Sequence, residues 1–127
     1  MNRVKQEIVS SAIDEIKVTA PGTINRRYCF NQDFIGFSGH FPGRPILPAF
    51  VQVLTALTLA EEQSGYPLEL AGVENAKFHI QLGPGQEINV ECREKLVSGK
   101  PGCEARLTVA EGLASLFRMS LVEKGDV

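Results

Sequence analysis

Residues 48–63 constrain the fold more than any other stretch of the chain. Pro48 suits the first position of a helix, where its missing N–H would be unpaired anyway. Ser64-Gly65 followed by Pro67 marks the stop. In between, Phe50, Val51, Val53, Leu54, Leu57 and Leu59 point in nearly every direction. A helix apolar all round must be surrounded by protein. Gln52, Thr55 and Thr58 interrupt it, and their three-residue spacing puts them on one narrow stripe. The run is too short to span a bilayer.

The flanking segments alternate. Ile16, Val18 and Ala20 alternate with Lys17 and Thr19, and the strand ends at Pro21-Gly22. Ile24, Arg26, Tyr28 and Phe30 alternate with Asn25, Arg27 and Cys29, so the two form a hairpin. Beyond the helix, 68–70 leads into Ala76, Phe78 and Ile80, and Gly83-Pro84-Gly85 turns the chain. A strand follows over 88–97, then a turn over 98–102, a strand over 105–109, a turn at Glu111-Gly112 and a strand over 113–122. One sheet face encloses a helix only by curling around it. The expected fold is therefore α+β, a curved antiparallel sheet wrapped around one long central helix in a single domain, 1–127. A second copy or another layer must cover the remaining helix surface.

Composition excludes several classes of function. Hydrophobic residues are 43% and charged ones 22%, ordinary for a globular protein. A formal charge of −2, with no basic run longer than Arg26-Arg27, argues against a nucleic-acid binder. The first residues, 1–11, lack the basic start and apolar block of a signal peptide, so a cytoplasmic location is expected, without membrane attachment. Cys29, Cys92 and Cys103 are spaced as reduced, buried thiols rather than as disulfides or zinc ligands.

Between the hairpin and the helix lies the segment 36–48, with three prolines and three glycines in thirteen residues, which excludes regular structure. Phe37, Phe41, Ile46 and Leu47 make it too apolar for a solvated loop, so its backbone packs into the protein and shapes a site. It carries His40, one of two histidines. His79 alternates with Phe78 and Ile80 and faces solvent or a subunit contact. Imidazole is the usual base near neutral pH. The N–H groups of Ala49, Phe50 and Val51 at the helix start can hold a thioester carbonyl or its enolate. Together they have the parts needed to remove a proton next to a thioester. Other chemistries fail: there is no phosphate loop, nucleophile elbow or metal-ligand spacing, and Glu61-Glu62 reads as a solvated helix end.

The run Gly39-His40-Phe41-Pro42-Gly43-Arg44-Pro45-Ile46-Leu47-Pro48-Ala49 closely resembles the signature of the β-hydroxyacyl-acyl-carrier-protein dehydratases of the FabZ/FabA type. The resemblance extends through 71–80, Gly83-Pro84-Gly85-Gln86 and the final strands. It implies the hot-dog fold and a reaction without cofactor or metal. His40 would act on the C2 proton, and Ala49, at a family glycine, would hold the thioester oxygen through its N–H. The acyl group would lie against Phe41, Ile46, Pro48, Ala49, Phe50, Leu54, Thr55 and Thr58. The implied partners are acyl carrier protein with its acyl-phosphopantetheine, and a second hot-dog subunit in a homodimer, higher oligomer or hetero-oligomer, because family sites form between two subunits.

Besides Ala49, the match breaks at two positions of the helix. Where the family carries the Glu or Asp that protonates the leaving hydroxyl, this chain has Leu54, and the glutamine usual in the FabZ branch is Thr58. Losing a general acid typically costs about 10²–10⁴ in rate. Three readings stay open. The chain is a dehydratase of fatty-acyl or aryl-polyenoyl thioesters whose acid is replaced by a water on Thr55, Thr58 or Gln52, or it is an acyl-thioester-binding subunit completed by a Glu-bearing hot-dog partner. In the third, it binds, hydrolyses or isomerises acyl thioesters.

Overall fold

The computed structural model describes residues 3–37, 43 and 45–125. The elements run α1 (Arg3–Ser10), β1 (Lys17–Ala20), β2 (Thr23–Cys29), a 3-10 turn (Ile35–Phe37), α2 (Ala49–Ser64), β3 (Leu68–Phe78), β4 (Glu87–Val97), β5 (Lys100–Val109) and β6 (Gly112–Glu123). All six strands form one antiparallel sheet in the order β1-β2-β4-β5-β6-β3. The expected hairpin and central helix are both present.

Register explains the core. Ile24, Cys92, Ala105 and Phe117 lie side by side across β2, β4, β5 and β6, all buried on the face that meets α2. Val51, Ala56 and Leu59 of α2 are fully buried against that side. On the opposite face, Arg93, Glu104 and Arg118 make a cross-strand row in which the carboxylate bonds both arginines. Burial works against the Glu104 charge, but Arg118, Lys95 and Arg93 outweigh it and hold the carboxyl below its usual range.

The structure differs from the sequence expectations at two places. The first concerns the N-terminus, where the sequence reading marks no element and α1 is a helix. Ile8 is fully buried, Glu7 Oε1 accepts the Ile35 N–H at 2.9 Å, and Lys5 pairs with Glu61. The second concerns 98–102, expected as one long turn. Ser98 and Gly99 alone make it, with φ of 50° and 78°. Positive φ at both central residues matches the twist of a hairpin, so β5 begins at once at Lys100. The chain alone leaves part of α2 uncovered, the surface for which a second copy or another layer is expected. Phe50 is 63% exposed, and Leu54 is the one half-buried residue within 51–59. Four residues apart, they form one open stripe.

The sheet edges differ. β1 is only four residues long, whereas β3 has eleven and leaves Leu70, Val73 and Phe78 exposed. A long apolar edge is a ready template for another chain. Among the described residues, no helix is long and apolar enough to cross a membrane.

Candidate functional site

The two ends of the loop over 36–48 are anchored before the loop itself is considered. On entry, Phe30, Phe34 and Phe37 form an aromatic cluster, with Phe30 and Phe34 centroids 4.5 Å apart and Phe34 set edge-on to Phe37. Gly36 sits under the Phe34 ring, where a side chain would collide with it. On exit, Leu47 is buried and its N–H donates to Leu82 O at 2.7 Å. His40 and Phe41 lie outside the described residues.

The exit runs straight into α2. Pro48 is the N-cap, in extended conformation and without a side-chain cap. Its carbonyl accepts the N–H of Val51 and of Gln52, both at 3.1 Å. The sequence reading offered the N–H of Val51 as free, and the helix's tight first turn uses it. The N–H groups of Ala49 and Phe50 are left without an acceptor among the described residues. Both residues are exposed, and Ile46 and Pro48 beside them are half-buried. The arrangement presents two polarised donors at the mouth of an apolar stripe, which is what a carbonyl oxygen gaining negative charge requires.

Leu54 lies one turn further along that stripe. Thr55 and Thr58 do not share its availability. Both are buried, and their hydroxyls donate to their own helix, to Val51 O at 2.8 Å and Leu54 O at 2.7 Å. Their protons are thus committed to backbone carbonyls. Gln52 differs. Its Nε2 donates to Leu47 O at 3.1 Å, tying loop exit to helix, while its buried Oε1 has no partner among the described residues.

Glu61 and Glu62 are not a solvated end. Glu61 pairs with Lys5 and accepts the Leu68 N–H at 2.8 Å, and Glu62 accepts from Arg26 at 2.9 Å. Local sequence carries no sign of the two cations, because Lys5 and Arg26 are distant along the chain. His79 is exposed just beyond the end of β3. Cys92 and Cys103 are buried thiols. Hydrogen bonding to Cys103, together with burial, pushes the Cys92 thiol well above its ordinary range, the opposite of an activated nucleophile. Among the described residues no group of three or more His, Cys, Asp or Glu is placed to hold a metal.

The comparisons with known proteins agree with this plan. A dehydratase FabZ of Bacillus velezensis, named as acting on 3-hydroxyacyl groups on acyl carrier protein, is 35% identical over 102 residues. That match covers 65% of this chain and 71% of the relative. The FabZ of Lawsonia intracellularis is 36% identical over 83 residues, and the chain spans 54% of that relative's length. Among solved structures, the dehydratase heterocomplex ApeI:P from Xenorhabdus doucetiae superposes with a TM-score of 0.74 at 20% identity, covering 88% of this chain and 96% of that one. The PaaI protein of E. coli superposes with a TM-score of 0.62 at 10% identity, covering 89% and 80%. These likenesses show the hot-dog fold. The ApeI-like family, described as ApeI dehydratase, matches residues 16–114, and the chain therefore belongs to that family of dehydratases.

Proposed function

We propose that the chain is a subunit of a dehydratase acting on 3-hydroxyacyl thioesters carried by the phosphopantetheine of an acyl carrier protein. The observation that carries this reading is the start of α2. There the N–H groups of Ala49 and Phe50, without an acceptor among the described residues, meet an open apolar stripe directly after the loop that bears His40. In the proposed reaction His40 takes the proton from C2, and the electron pair moves into the thioester carbonyl, whose oxygen rests on the Ala49 N–H. The C3–O bond then breaks as the hydroxyl accepts a proton and leaves as water. Phe41, Ile46, Pro48, Phe50 and Leu54 flank the acyl group.

Leu54 has no proton to give, and the Thr55 and Thr58 hydroxyls are engaged with their own helix. We assign the acid to a carboxylate on a second hot-dog chain, paired along the exposed β3 edge. Two observations support a mixed assembly: the apolar side chains left open on β3, and the heterocomplex named for the ApeI:P structure of the same fold. Hydration of an enoyl thioester, measured for the purified chain alone and mixed with a carboxylate-bearing family member, tests it. Activity should need both chains and vanish with His40→Ala in this one. Full activity of the chain alone would remove the partner from the scheme. Activity of the mixture that ignores His40→Ala would remove His40.

A further inference from the structure

At the opposite end of α2 from the loop the sheet does not close on the helix. It leaves a cavity of about 860 Å³, within the range of small-molecule sites. Ile24, Cys92, Cys103 and Leu121 contribute its apolar walls. Ala60, about 16 Å along the helix from Ala49, lies at its edge, and fully buried Ala56, Ala105 and Phe117 fill the core between helix and sheet. The cavity is therefore separate from the open stripe at Phe50 and Leu54.

Its charge is one-sided. The inward register of β4 runs Ile88, Val90 and Cys92, and then Glu94 rather than another apolar residue. The inward register of β6 runs Phe117, Met119 and Leu121, and then Glu123. Both carboxylates line the cavity, and neither has a hydrogen-bond or ion-pair partner among the described residues. No lysine or arginine among the described residues lines it. The carbonyl end of α2 at Gln63 and Ser64 adds partial negative charge to the same rim. Glu94 interrupts one apolar row, with Leu96 beyond it, and Glu123 ends the other, so an apolar interior opens onto a rim whose charged side chains are acidic.

We propose that this cavity binds a small amphiphile with an apolar body and a cationic head, the body between α2 and the sheet and the head at Glu94 and Glu123. The inference does not depend on the reaction assigned above. The test is calorimetric titration of the full chain, in its solution assembly, with decyltrimethylammonium, decyl sulfate and decyl maltoside, each below its micelle concentration. At low salt the cation should bind about tenfold more tightly than the sulfate, and added salt should narrow the gap. The double variant Glu94→Gln/Glu123→Gln changes two exposed positions and leaves the core intact. It should weaken the cation about tenfold, in line with two solvent-screened contacts, and leave the maltoside unchanged. Ala60→Trp should abolish binding of all three. Absence of cation binding at about 1 mM, a range open to even weak ligands, would overturn the proposal. So would equal affinity for the sulfate, indifference to the double variant, or binding that survives Ala60→Trp.

Discussion

At its start α2 has no side-chain cap, two N–H groups without acceptors among the described residues and a phenylalanine that is 63% exposed. At its end Gly65, with φ of 81°, returns its N–H to Glu61 O, while Lys5 and Arg26 hold Glu61 and Glu62 from two other elements. One helix is thus finished by the fold at one terminus and left unfinished at the other. Unpaired donors and exposed apolar side chains are tolerated where a ligand or a second chain completes them. The well-held end should therefore matter to stability, and the open end to activity and association.

The largest effect expected from this contrast is at Leu54. Leu54→Glu places a carboxyl on the open stripe one turn from Phe50. If the start of α2 is the reacting site, enoyl-thioester hydration by the chain alone should rise by about 10²–10⁴, the usual worth of a positioned acid. His40→Ala in the same variant should take the gain away. A folded Leu54→Glu protein with no gain would mean that the open end serves association alone.

Next in size is the held end. Ile8 is fully buried, and its helix carries Lys5 to Glu61. Ile8→Ala should cost about 2–4 kcal/mol, as large-to-small core changes do. Phe50→Ser at the open end should leave the stability of the isolated chain within about 0.5 kcal/mol, as for surface substitutions. Urea unfolding read at fixed protein concentration separates them. Equal losses would erase the distinction between the two ends.

That distinction was only half legible in the sequence. Residues 48–63 announce a buried helix because their apolar content does not depend on distant partners, and Pro48 marks the start by its own chemistry. The alternating strands are legible for the same reason. The first helix is not, because it is short and polar, with Ile8 its only fully buried side chain. What holds it is tertiary, the Glu7–Ile35 bond and the Lys5–Glu61 pair. The stripe of Gln52, Thr55 and Thr58 was legible as a stripe, yet only the folded structure separates hydroxyls spent on helix carbonyls from an amide oxygen without a partner among the described residues. Glu94 was visible as a break in the inward row of β4, but alternation alone does not say that a cavity lies beneath it.

The smallest effect expected is electrostatic and belongs to the junction behind the held end. Asp14 accepts the Arg27 N–H at 2.9 Å and the Arg27 Nε at 2.7 Å, and Arg26 Nε donates to Asp14 O at 2.8 Å. Arg26 in turn holds Glu62, so Asp14 braces the β2 residues that fix the end of α2. The bond from the Arg27 backbone, then the one from its side chain, lowers the Asp14 carboxyl from 3.8 to about 2. A carboxyl depressed in the folded state stabilises above its unfolded value, and that contribution fades as pH falls from about 4 to about 2. Screened by solvent, it should amount to about 1 kcal/mol. Urea midpoints measured through this window should therefore fall less steeply for Asp14→Ala than for the unaltered chain. Glu104→Gln serves as a control, because its carboxyl is also lowered but sits on the outer sheet face, away from α2. If Asp14→Ala leaves the acid slope unchanged while Glu104→Gln flattens it, the acid sensitivity lies in the sheet row and the held end owes little to this brace.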